Sequence, residues 1–63
     1  MLKIGERVVV YIGTDGEKRE EQGFVTIHGD VVKIHRKEEN EYGGYDHTKI
    51  EIFKERVVEM RTV

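Results

Sequence analysis

Phe24-Val25-Thr26-Ile27-His28-Gly29-Asp30-Val31-Val32-Lys33-Ile34-His35 is the stretch that decides the fold. Two runs rich in β-branched residues flank a Gly-Asp pair, and Gly supplies the positive φ that a two-residue hairpin turn needs. Counting outward from the turn sets His28 opposite Val31, Ile27 opposite Val32, Thr26 opposite Lys33, Val25 opposite Ile34 and Phe24 opposite His35. Both aliphatic pairs then share one face. A slip of one residue would turn Val and Ile outward, so turn chemistry and hydrophobic pattern select the same register.

Upstream, Arg7-Val8-Val9-Val10-Tyr11-Ile12 reads as a strand with Val8, Val10 and Ile12 on one face. Gly13-Thr14-Asp15-Gly16 ends it, and Glu17 to Gln22 is too charged to lie along a core, which suggests an exposed arm or loop. Downstream, a tight turn at Gly43-Gly44 would set Ile52 against His35 and Ile50 against Lys37, so that an aliphatic face met a polar one. The expectation is therefore an irregular loop over Lys37 to His47, then a strand from Thr48 to Phe53 with Ile50 and Ile52 inward. Lys54-Glu55-Arg56 turns the chain, and Val57 to Met60 forms a last short strand. Residues 1–63 thus read as one all-β domain, a five-stranded antiparallel barrel.

A chain of 63 residues buries only about 60% of the surface its unfolded form exposes. With no Cys to staple it, self-association is the remaining aid to a thin core. Lys plus Arg total 11 against 13 Asp plus Glu, a net charge of -2, so there is no global basic footprint of the kind a duplex-DNA binder carries, although a local patch can survive folding. Heavy use of Glu, Lys and Arg also fits the profile of thermophile proteins. No apolar run reaches membrane-spanning length, and Met1-Leu2-Lys3-Ile4 leads into charge without a signal-like apolar region. A soluble cytoplasmic protein with no membrane partner is expected.

Gly5-x-Arg7-Val8-x-Val10 followed by Gly23-x-Val25 resembles the opening of KOW, Tudor and other SH3-like barrels. Val8-x-Val10-Tyr11-Ile12, Asp15-Gly16, Gly23, His28-Gly29-Asp30 and the closing Phe53 to Met60 also resemble Sm-like proteins, including the bacterial Hfq type, which form RNA-binding rings. Those proteins begin with a helix for which this chain has no residues. Their RNA pocket uses an Asn shortly after the turn Asp, where Val31-Val32-Lys33-Ile34 stand here. The resemblance therefore implies an SH3-like barrel and a tendency to assemble, without a base pocket.

Two candidate binding surfaces stand out. In Glu41-Tyr42-Gly43-Gly44-Tyr45-Asp46-His47, Tyr42 and Tyr45 flank a flexible glycine pair, and Arg36 and Lys37 lie close enough to meet a phosphate. The same tyrosines can instead fold back as a lid on the barrel end. The second surface is the outer face of the hairpin, where Phe24, Thr26, Lys33 and His35 gather with Tyr11 as a neighbour; the alternative is that Phe24 and Tyr11 are core or subunit contacts. His28, His35 and His47 match no metal-ligand spacing, so no metal or other cofactor is expected. Nor is there a nucleophile elbow or phosphate-binding glycine loop. The expected function is a non-catalytic binding module that makes protein contacts or self-assembles, with single-stranded RNA as the alternative partner. An enzyme with its site at the centre of an oligomer, as in the plasmid-type dihydrofolate reductases, rests on fold analogy.

Overall fold

The computed structural model describes all residues 1–63. Five antiparallel strands, β1 (Leu2–Ile12), β2 (Lys18–His28), β3 (Val31–Glu39), β4 (Tyr45–Phe53) and β5 (Val57–Thr62), form one sheet in the order β4-β3-β2-β1-β5. A single 3-10 turn, Lys54–Arg56, precedes β5. Its first amide donates to the Asp30 carbonyl at 2.7 Å, and Arg56 reaches the carbonyl of Gly13 at 3.1 Å. These bonds bring the chain from the end of β4 back beside β1.

The β2–β3 register is the one the Gly29-Asp30 turn dictates, from His28↔Val31 to Phe24↔His35. Gly29 has the positive φ, +56°, that the turn requires. Val25, Val32 and Ile34 are fully buried and, with Val9, Tyr11 and Ile52, make the core.

Four features depend on the assembled sheet. First, Val8, Val10 and Ile12 do share one face of β1, and it is the opposite face, with Val9 and Tyr11, that packs on the core. A run of consecutive apolar residues carries no parity, and the bulge between Lys3 and Gly5 allows both Ile4 and Val9 to face the core. Gly5, at φ +107°, supplies the backbone conformation at that bulge. Val10 is still only 3% exposed: Glu20 of β2 and Glu59 of β5 stand on either side of it on that face, and the Arg61–Glu20 ion pair spans β1. Second, Lys18 to Gln22 is strand, paired with β1, although its residues are largely exposed.

Third, most of Lys37 to His47 is also strand. The β3–β4 loop is Asn40 to Gly44, longer than a glycine-pair turn, and it sets Ile34 opposite Ile50 and Val32 opposite Ile52. The clash of faces disappears. Asn40 builds this loop: its Oδ1 accepts from the amides of Tyr42 and Gly44, both at 3.0 Å, and its own amide donates to the Gly44 carbonyl at 2.9 Å. Fourth, the sheet curls but does not close, since β5 pairs with β1 and β4 pairs only with β3. A second bulge, at Val57–Val58, turns both Val57 and Met60 to the core and leaves Val58 exposed.

Beyond Phe24↔His35 the ladder between β2 and β3 ends. From there β2 continues with β1, and β3 continues with β4, as two diverging ribbons. The radius of gyration is accordingly 12.3 Å, against about 10.6 Å for a compact chain of this length.

Candidate binding face

Strand alternation sorts the side chains of β2, β3 and β4 onto two faces. One carries the core. The other presents the rows Thr26–Lys33–Glu51, Phe24–His35–Lys49, Lys37–His47 and Glu39–Tyr45. From Lys33 to Glu39 this face is about 20 Å long at the usual rise per residue. Phe24 is 41% exposed and Tyr45 54%.

Contacts along the diagonals join these residues. His35 Nε2 lies 3.0 Å from His47 Nδ1. The Lys37 ammonium sits 4.0 Å from the centre of the Tyr45 ring, a cation–π contact. A shallow groove lined by Phe24, Thr26, Lys33, His35, Lys49 and Glu51 runs next to them. Lys33 and Glu51 approach to 3.8 Å, an exposed pair worth little.

The two surfaces drawn from the sequence are therefore one. Phe24, Lys33, His35, Lys37, Tyr45 and His47 share the outer face. Tyr42, at the tip of the Asn40–Gly44 loop, is 88% exposed, so neither tyrosine is a lid on the core. Arg36 is not brought to this face. It points to the core side, where its Nη1 donates to Glu21 Oε2 at 2.7 Å and its Nε lies 2.8 Å from Glu38 Oε1. The Glu21 hydrogen bond raises its pKa further, against partial desolvation. Arg36 thereby ties the two ribbons together where the β2–β3 ladder stops. Tyr11 belongs to the core.

Lys49 is the residue that sequence reasoning passed over. It stands opposite His35 on the exposed face, and only the true β3–β4 register places it there. With it the face carries Lys33, Lys37 and Lys49 plus two imidazoles, against Glu39 and Glu51. The net charge of -2 is thus unevenly spread, and a basic, aromatic face exists within a mildly acidic chain.

His28 lies at the turn end of the hairpin, opposite Val31 and away from the other two histidines. No three His, Asp or Glu side chains converge as metal ligands would. Asp15, with its pKa lowered by the Glu17 amide and Arg19, and Arg36 are held in ion pairs off this face. No helix is long and apolar enough to cross a membrane. Comparison with protein-family models, curated proteins and solved structures found no match.

Proposed function

We propose that this chain is a small non-catalytic binding module of the SH3-like type that holds single-stranded RNA on the outer face of β2, β3 and β4. The strand order, with β5 returning beside β1 after one 3-10 turn, supports the SH3-like assignment. One observation carries the RNA reading: strand alternation gathers Lys33, Lys37 and Lys49 with Phe24, His35, His47 and Tyr45 on one exposed surface. Lysines there meet phosphates and the rings stack on unpaired bases, whereas a duplex keeps its bases stacked inside.

Fluorescence anisotropy with a labelled oligo-uridine RNA tests it. Three phosphate contacts give a slope of about -2 in log K against log salt, at about 0.7 per contact. Lys33→Glu/Lys37→Glu/Lys49→Glu abolishes binding. Absence of binding at low salt, or a triple variant that binds like the parent, refutes the proposal.

A second observation favours self-assembly. Both β4 and β5 are sheet edges with unpaired backbone groups, and Phe53 on β4 and Val58 on β5 are more than half exposed. Such edges on a domain with nine buried residues favour pairing with a second copy. Light scattering on nuclease-treated protein then reports a mass that grows with concentration. A monomer mass independent of concentration counts against it.

A further inference from the structure

His35 and His47 meet on a diagonal, since Lys49 stands opposite His35 and Lys37 opposite His47. Their ring planes differ by 13°, the centroids are 5.2 Å apart, and Nε2 of His35 faces Nδ1 of His47 at 3.0 Å. That contact holds one hydrogen: one ring donates N–H and the other accepts on a bare nitrogen. If both rings carry protons on both nitrogens, two N–H groups point at each other and like charges adjoin. Histidine is the side chain that changes charge between about pH 5 and 8.

No charged side chain takes the place of either ring in this bond. Lys33 and Lys37 flank it on β3, and Lys49 lies on β4 with Glu51, which approaches Lys33. Glu39 and Tyr45 lie at the far end of the face. From β2 come the uncharged Phe24 and Gln22, with Glu6 of β1 at the margin and Glu38 turned to Arg36. The bond that each imidazole makes at its facing nitrogen is to the other.

We propose that the His35–His47 pair is a proton-operated latch on the binding face. Closed, the two imidazoles satisfy each other in the middle of the lysine row. On acidification both become cationic, the N–H···N bond is lost, and the rings swing free to meet phosphates and stack on bases. This inference rests on the RNA reading above.

The test uses the full chain and labelled oligo-uridine, because uracil gains no proton over the range, at about pH 8 and about pH 5.5. Each added phosphate contact steepens the salt slope by about 0.7 and tightens binding about eightfold near 50 mM salt. Wild-type protein therefore binds about eightfold or more tightly at the lower pH, while the His35→Gln/His47→Gln variant, which keeps His28 and every lysine, shows no such gain. Nitrogen-15 NMR of the free protein's imidazoles shows one donor and one acceptor facing at the higher pH, and two protonated rings at the lower.

Equal affinity at both pH values leaves RNA binding standing and overturns the latch. The same follows if the double Gln variant keeps the wild-type pH response, or if NMR shows the N–H···N bond intact at low pH. No RNA bound at either pH refutes the RNA reading, and the latch falls with it.

Discussion

Adding one methyl group at Gly23 tests how the binding face is supported from behind. Gly23 lies on the core side of β2, paired with Arg7, one residue past the end of the β2–β3 ladder. A Cβ built there meets the His35 carbonyl oxygen and Ile34 Cγ2, each at 2.8 Å. Neither can step aside cheaply: one is strand backbone, and the other belongs to a side chain 1% exposed in the core. Overpacking of this kind costs about 1–3 kcal/mol, and the lower backbone entropy of Ala returns only about 0.5–1 kcal/mol. Gly23→Ala should therefore lose about 1–2 kcal/mol net. A domain of 63 residues holds about 3–9 kcal/mol in total, so the loss is a large fraction. The melting temperature, followed by circular dichroism, should fall by about 5–15 °C.

The control is Gly44→Ala, where the nearest atom to an added Cβ is 3.5 Å away on the Asn40 side chain. It should stay within about 0.5 kcal/mol of the parent. Because the clash at Gly23 pushes on the His35 backbone, Gly23→Ala should also displace the His35 and Phe24 signals in NMR spectra of the folded fraction. A Gly23→Ala protein as stable as Gly44→Ala would show that β2 and β3 are not in this close contact, and the placement of the face would fail with it.

Asn40→Ala should cost about 1–2 kcal/mol in urea denaturation, since the Tyr42 and Gly44 amides lose their shared acceptor. Asn40→Asp keeps that acceptor but exchanges the Nδ2 donor that faces Asp46 Oδ1 at 3.4 Å for a second carboxylate, so it should recover only part of the loss, and hydrogen exchange should quicken at Tyr42 and Gly44 most in the Ala variant. Asp15 has its pKa lowered from 3.8, first by the hydrogen bond from the Glu17 amide and then by Arg19. Its stabilising effect is therefore full above pH 3.8 and is lost as pH falls through the lower folded value. Denaturation curves of wild type and Asp15→Asn should differ at neutral pH and converge in acid, and a gap that widened on acidification would refute the sign.

Features set by neighbouring residues can be read directly from the amino-acid order. The Gly29-Asp30 turn and its flanking Val and Ile residues specify the β2–β3 register pair by pair, because a two-residue turn leaves no slack between strands. The break at Gly13–Gly16 and the turn at Lys54–Arg56 are legible for the same reason. Most side chains of the binding face were also legible as residue types.

Their meeting was not. Alternation turns Lys49 outward, but Lys49 comes opposite His35, and His47 reaches His35, only through a β3–β4 register in which Asn40 closes the loop. Arg36 looked like a phosphate contact beside Lys37, yet strand parity sends it to the core side, toward Glu21 fifteen residues away in sequence. In β1, a run of apolar residues offered no parity, and the bulge at Gly5 lets Ile4 and Val9 share the inward face. Each of these outcomes depends on which strand lies alongside. That is a property of the assembled sheet, where one added residue in a bulge or loop exchanges the faces of everything beyond it.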